Sequence, residues 1–195
     1  MRSRHLLALV VVALVALSGG YLVSNALSNR TPAAASGGAA AALLKAVMPQ
    51  FAGDDVQIVS RARDGSRAVL LVQSDVNPGE YYLYDKASRK LDLLFARWPA
   101  LKPEALAPME PVQVKARDGQ VLLGYVTRPP GKAAAKGLPL VVLVHGGPYG
   151  VRDEWNYDPD VQVLASRGYA VLQVNFRGSG GRGYAFQQAL WTGAL

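Results

Sequence analysis

The sequence predicts an α/β sheet domain in its C-terminal half, preceded by an antiparallel β-meander. Leu140 to Val144 is an apolar run with three valines that ends at a Gly/Pro cluster, which is typical of a buried strand. Asp158 to Arg167 predicts a helix, because Pro159 suits its first turn and Gly168 lies just past its end. Tyr169 to Val174 is a second apolar run. The order strand, loop, helix, strand is the repeating unit of an α/β sheet.

A β-hairpin is predicted just before this unit. Val112 to Ala116 and Val121 to Thr127 flank Arg117-Asp118-Gly119-Gln120, whose Asp-Gly pair suits the positive φ of a tight turn. We expect these strands to be the first two of the α/β sheet, which would occupy residues 112–195. Residues 98–111 contain four prolines and are predicted to be a connector.

Residues 46–97 are predicted to form a four-stranded meander. Turn signals at Arg63-Asp64-Gly65-Ser66, Asn77-Pro78-Gly79 and Lys86-Ala87-Ser88 separate short segments rich in strand-forming residues. Four antiparallel strands of this size make one blade of a β-propeller. The alternative is a small sheet that rests on the α/β part. The predicted strands are Val56 to Ser60, Ala68 to Gln73, Tyr81 to Tyr84 and Leu91 to Phe95.

The first 29 residues have the layout of an export signal. Arg2 and Arg4 precede an apolar run of twelve residues from Leu6 to Leu17, and Ser24-Asn25-Ala26 offers small residues at a cleavage site. A membrane span needs ~20 apolar residues, so the run alone is short, but residues 6–27 together could form an uncleaved anchor. We therefore expect the protein to be exported to the periplasm or the exterior, or anchored in the membrane.

Residues 30–45 are rich in alanine and other small residues. Their low complexity predicts a linker. The alternative is an Ala-rich helix that runs into Leu43 and Leu44.

The composition excludes several classes of function. The 195 residues include no cysteine, which excludes disulfides, thiolate metal sites and a cysteine nucleophile. There are only two histidines, so a His-rich metal site is also excluded, and we expect no metal or cofactor. The net charge is +7, but the basic residues are scattered, whereas a nucleic-acid interface needs a concentrated basic patch. We therefore expect no nucleic-acid partner.

A set of motifs follows the predicted strand at Leu140. They are His145-Gly146-Gly147-Pro148, Arg152-Asp153-x-Trp155, Asp158-Pro159-x-x-Gln162, Ser166-Arg167-Gly168-Tyr169 and Asn175-Phe176-Arg177-Gly178-Ser179-x-Gly181-x-Gly183. Any one of them is weak, but together they are specific. The set resembles the start of the catalytic α/β-hydrolase domain of prolyl oligopeptidase-type serine peptidases, the group that includes dipeptidyl and acylaminoacyl peptidases.

The resemblance covers roughly residues 43 to 190 and implies both fold and function. It implies a partial α/β-hydrolase sheet, and residues 46–97 resemble the last blade of the propeller that precedes the hydrolase in this family. It further implies hydrolysis of peptide substrates outside the cytoplasm. Since α/β-hydrolases place one half of the oxyanion hole in the loop after their third strand, the candidate site residues are His145, Gly146 and Gly147. Some family members use the residue before the paired glycines, often a Tyr, for an oxyanion contact, and His145 has that position.

The sequence does not contain the nucleophile that this chemistry needs. Serine hydrolysis requires a serine, a base and an orienting acid, and α/β-hydrolases place the serine in G-x-S-x-G. No serine among the 195 residues has glycine two positions before and two after it. The missing helix and strand need ~20 residues after Gly183, but twelve remain. We therefore expect no catalytic triad and an incomplete peptidase, with a non-catalytic exported binding protein as the alternative.

A second alternative comes from the glycine-rich segment 178–183. Its sequence GSGGRG matches G-x-G-x-x-G, follows a predicted strand and could open a helix at Tyr184, as in dinucleotide-binding units. Arg177 and Arg182 would suit phosphate. However, the acidic residue expected ~20 positions further on would fall beyond Leu195.

Overall fold

The computed structural model describes residues 10–11, 37–147 and 150–189. It divides into two compact units, and the boundary falls between Ala100 and Leu101. The predicted signal or anchor over residues 1–29 lies outside the described residues, except for Val10–Val11, which form a two-residue strand, β1. In the part of the chain that the structure describes, no helix is long and apolar enough to cross a membrane.

The first unit contains the predicted antiparallel meander. Its strands are β2 (Asp55–Arg61), β3 (Arg67–Ser74), β4 (Asn77–Asp85) and β5 (Lys90–Ala96), and they lie in chain order in one sheet. This arrangement confirms the blade-like meander that the turn signals predicted.

One turn of the meander differs from the prediction. Asn77-Pro78-Gly79 begins β4, and the chain reverses earlier, because Ser74 already pairs with Asn77. The side chain of Asn77 accepts a hydrogen bond of 3.0 Å from the N–H of Gly79, whose φ is 126°. These turn-forming residues therefore shape an irregular strand start next to a shift in register rather than the reversal itself.

A helix, α1 (Gly37–Val47), packs on one face of this sheet. Val47 is fully buried in a cluster with Leu70 and Val72 of β3, and Leu43 and Leu44 pack against the same cluster. The linker predicted for residues 30–45 is therefore wrong from Gly37 onward, and the Ala-rich helix is correct. Alanine has the highest helix propensity, and burial of one apolar side of the helix adds the stability that a short helix lacks alone. Residues 30–36 lie outside the described residues.

The second unit contains a mixed sheet. Strands β6 (Met109–Lys115) and β7 (Val121–Thr127) form the predicted antiparallel hairpin, and β8 (Leu140–Leu143) and β9 (Ala170–Asn175) are parallel to each other. The strand order is β1-β8-β9-β7-β6, so β9 is paired on both sides. The sheet confirms a partial α/β-hydrolase fold after a propeller-like blade.

Strand β6 starts at Met109, inside the predicted connector 98–111. Pro111 lies within it opposite Tyr125. Proline cannot donate a backbone hydrogen bond, but β6 is an edge strand of the sheet, where proline is tolerated. A 3-10 helix, Pro103–Ala105, precedes the strand, and another, Met48–Gln50, follows α1 in the first unit.

The predicted crossover helix is α2 (Pro159–Ser166). Asp158 caps it, since its carboxylate accepts hydrogen bonds from the N–H groups of Asp160 and Val161. Gly168, at φ 95°, provides the left-handed turn after the helix. A short helix, α3 (Tyr184–Gln188), follows the glycine-rich segment.

Candidate oxyanion site

The candidate site lies where β8 and β9 end. Because the two strands are parallel neighbours, their carboxyl ends meet at the same edge of the sheet. The loop after β8 carries His145, Gly146 and Gly147, and the loop after β9 carries Phe176 and Ser179. The two loops are therefore brought together by the topology of the sheet.

The ring of His145 joins the two loops. Its Nε2 lies 2.7 Å from Oγ of Ser179, and its Nδ1 lies 2.9 Å from the carbonyl oxygen of Gly146. The ring also stacks on Phe176, with the ring centroids 4.4 Å apart. A carbonyl oxygen can only accept, so Nδ1 carries the proton, and in the neutral ring Nε2 accepts from the Ser179 hydroxyl. Both nitrogens are occupied, so the ring itself has no free donor for an oxyanion.

Ser179 and His145 resemble the nucleophile and base of a serine hydrolase, but the surroundings do not fit that role. The side chain of Ser179 is only 1% exposed, so a substrate carbonyl cannot reach it. The Nδ1 atom of His145 faces a backbone carbonyl instead of the carboxylate that orients a catalytic base. The pair therefore connects the two loops and leaves the exposed backbone of Gly146 and Gly147 as the candidate donors.

The glycine-rich segment packs closely against the loop that follows β8. A side chain at Gly180 would overlap the carbonyl oxygen of Gly150, and one at Gly181 would overlap the guanidinium of Arg152. The N–H of Gly180 donates a hydrogen bond of 3.1 Å to the carbonyl of Val151. Close packing of two loops thus explains these glycines without a phosphate ligand.

The two arginines that suited phosphate are engaged with the protein. Arg177 forms an ion pair with Asp118 of the hairpin turn. Arg182 donates to the carbonyl of Val121 at 2.6 Å and lies over the ring of Phe186, 4.5 Å from its centroid. These contacts favour the hydrolase interpretation of the segment over nucleotide binding.

Asp153 is fixed to β9 by amide side chains. Its N–H donates to Oδ1 of Asn175 at 2.8 Å, and Nδ2 of Asn175 donates to its carbonyl at 3.0 Å. Its Oδ1 accepts from Nε2 of Gln173 at 3.1 Å, while Oδ2 is buried with no hydrogen-bond partner among the described residues. Burial raises the pKa of the Asp153 carboxyl, although the nearby ring of His145 and the bond from Gln173 lower it. The adjacent Arg152 pairs with Glu154 at 2.9 Å rather than with Asp153.

A shallow pocket of about 290 Å³ lies beside these loops. Trp155 lines it and donates a hydrogen bond of 3.3 Å from Nε1 to the carbonyl of Met109. His145, Gly146 and Gly147 do not line the pocket, so it is separate from the candidate oxyanion loop. Its walls are formed by Leu123, Tyr125, Arg152, Asp153, Glu154, Trp155, Asn175, Gly180, Gly181 and Arg182. Among the described residues, no cluster of three or more His, Asp or Glu side chains could hold a metal ion.

Comparisons with known proteins agree with this geometry. Residues 155–193 match the sequence profile of the prolyl oligopeptidase family. Dipeptidyl aminopeptidase BIII of Pseudoxanthomonas mexicana is 40% identical over 151 residues, which are 72% of this chain and 22% of that protein. Dipeptidyl peptidase family member 6 of Caenorhabditis elegans is 33% identical over 148 residues, 66% of this chain and 20% of that protein.

Solved structures show the same partial match. A Mycobacterium tuberculosis puromycin-hydrolyzing peptidase superposes with a TM-score of 0.54 at 28% identity, covering 65% of this chain and 20% of that one. The chain thus spans about a fifth of the length of the relatives it matches. With the sheet order and the two joined loops, these matches show that the chain is similar to one part of the peptidases of the prolyl oligopeptidase family.

Proposed function

We propose that this chain supplies the oxyanion side of a serine peptidase active site. The observation that carries the proposal is the exposed pair Gly146 and Gly147, whose loop is held in place from both nitrogens of the His145 ring. The nucleophile and the later members of the triad would come from sequence that follows residue 195, in the order typical of α/β-hydrolases.

The chemistry of peptide hydrolysis explains why such a loop matters. When a serine attacks a peptide carbonyl, the carbonyl oxygen becomes negative, and fixed N–H groups stabilise that charge without reorganising. Loss of one such donor typically lowers kcat by roughly 10²–10³-fold. The loop at Gly146 and Gly147 would contribute one donor, and the residue after the nucleophile would contribute the other.

The proposed substrate is a peptide. The two relatives quoted above are named as dipeptidyl peptidases, which supports removal of dipeptides from peptide N-termini as the specific activity. To test this, the source DNA would be read past codon 195 and the extended chain expressed beside the chain of 195 residues. We expect the extended chain to release nitroaniline from a dipeptidyl nitroanilide and the shorter chain to release none. Absence of any downstream G-x-S-x-G would instead favour a non-catalytic binding protein.

Export is proposed from the N-terminal sequence. The positive start and the apolar run from Leu6 to Leu17 support it. Residues 1–29 fused to alkaline phosphatase, which is active only outside the cytoplasm, should give an active enzyme. The matched control is the same fusion with Leu9→Arg, which places a charge in the apolar run and should abolish the activity. Equal activity of both fusions would contradict export by this segment.

A further inference from the structure

A continuous series of hydrogen bonds runs from the loop after β9 to the candidate oxyanion loop. The Ser179 hydroxyl donates to Nε2 of His145 at 2.7 Å, and the protonated Nδ1 donates to the carbonyl of Gly146 at 2.9 Å. The N–H of Ser179 also donates to the carbonyl of Phe176 at 3.0 Å, and Phe176 stacks on the same His145 ring. The donor, the ring and its stacking partner are therefore fixed as one group.

The planarity of the peptide bond extends this series by one residue. In a trans peptide, the carbonyl of one residue and the N–H of the next point in opposite directions, and the described residues contain no cis peptide. Because the Gly146 carbonyl is turned toward the His145 ring, the Gly147 N–H is turned away from that ring. Two adjacent glycines have little intrinsic preference for one orientation, so the peptide needs such an external constraint.

We propose that Ser179 is a positioning residue for the oxyanion site, acting through His145 and the Gly146 carbonyl to orient the N–H of Gly147. We call the hydrogen bonds from Ser179 through His145 to the Gly146 carbonyl the relay. Its effect on catalysis rests on the proposed function, whereas the relay itself exists without catalysis. Ser179 does not touch the reacting atoms in this arrangement. The Gly146 carbonyl can only accept, so it favours the His145 tautomer with the proton on Nδ1, and the Ser179 hydroxyl stabilises that tautomer by donating to Nε2.

Loss of the Ser179 hydroxyl should release the relay. Without a donor at Nε2, the neutral ring of His145 can move its proton to Nε2. Nδ1 would then be an acceptor facing the Gly146 carbonyl, which is also an acceptor, and the repulsion would turn the peptide between Gly146 and Gly147. A purely structural role for Ser179 would change stability but not the tautomer of His145.

The test is ¹⁵N NMR of the His145 ring and of the Gly147 amide in the chain of 195 residues, with His5→Gln leaving a single histidine. We expect the Nδ1–H tautomer in the unsubstituted site. Ser179→Ala should produce the Nε2–H tautomer and shift the Gly147 amide resonance. The matched control is Ser166→Ala, which removes an exposed hydroxyl bonded to the Val163 carbonyl and should leave both signals unchanged.

Two results would overturn the proposal. One is the Nε2–H tautomer of His145 in the chain with Ser179 intact, which would refute the relay even if Ser179→Ala does not fold. The other is a folded Ser179→Ala variant with an unchanged tautomer and an unchanged Gly147 amide. Ser179→Cys, a weak donor of similar size, gives a second variant and should show a smaller shift in the same direction. None of these signals depends on peptidase activity, so failure of the relay is distinguishable from failure of the proposed function.

Discussion

Replacement of Gln162 by leucine should weaken the α/β unit strongly. The Gln162 side chain is buried on α2, where its Oε1 accepts from the N–H of Ala107 and its Nε2 donates to the carbonyl of the same residue, both at 2.8 Å. Ala107 is fully buried, so water cannot replace the two lost bonds. Leucine has a similar size, which keeps the volume of the site nearly constant.

The magnitude follows from the two backbone groups left without partners. Each buried group without a partner costs about 1–3 kcal/mol, which gives roughly 2–6 kcal/mol for the pair. Leucine gains about 1 kcal/mol from apolar burial. The expected loss in the free energy of unfolding is therefore roughly 1–5 kcal/mol.

Hydrogen exchange followed by mass spectrometry in increasing urea can measure this loss, because peptides from residues 105–166 report on this unit separately from the meander. The control is Gln113→Leu, an exposed position on β6 where a change within about 0.5 kcal/mol is expected. Equal effects of the two substitutions would refute the argument that the Gln162 bonds to Ala107 stabilise the unit.

Three further predictions concern the site loops and the meander. In Gly180→Ala the added methyl group would overlap the Gly150 carbonyl, so the glycine-rich segment should move away from that loop. We expect faster proteolysis of the segment in this variant than in the control Gly38→Ala, where an added methyl group meets no atom within 4 Å. Burial raises the pKa of Asp153 in the folded protein, so the folded protein loses stability as pH rises and this carboxyl ionises. In urea unfolding, Asp153→Asn should therefore be stabilised relative to the parent more at pH about 7 than at pH about 3. An equal difference in the free energy of unfolding at both pH values would contradict the raised pKa. Edge strand β5 exposes Leu93, Leu94 and Phe95, so we expect copies of the chain to self-associate through this edge. Leu94→Lys should reduce that self-association in ultracentrifugation without changing stability, and an unchanged association would show that this edge is not responsible.

Local patterns predicted most of the secondary structure. The hairpin was predictable because an Asp-Gly turn lies between two short strand-forming segments, and the crossover helix because Asp158, Pro159 and Gly168 mark its ends. The start of β4 was not predictable from local sequence, because Asn77-Pro78-Gly79 is rich in turn-forming residues. Its place in the strand depends on the pairing of β3 with β4, which shifts in register just before it. Helix α1 was only the alternative to a predicted linker, because its stability depends on burial of Val47 against a sheet that later residues form.

The candidate site was only partly predictable. His145, Gly146 and Gly147 lie in one motif, and their assignment to the oxyanion hole remains a prediction. The partner of His145 is Ser179, 34 residues further along the chain, and no local spacing connects them. The signal that could have found it was topological, since the loops after two adjacent parallel strands lie at the same edge of the sheet.

The central claim is that this chain provides an oxyanion loop and no nucleophile, and reaction with a fluorophosphonate probe tests it most directly. The chain of 195 residues would be treated with the probe and its serines analysed by mass spectrometry, with dipeptidyl aminopeptidase BIII of Pseudoxanthomonas mexicana as the positive control and circular dichroism as the check of folding. We predict labelling of the control and of no serine in the folded chain. Covalent labelling of Ser179, lost in a folded His145→Gln variant, would contradict the account and make that pair a catalytic dyad.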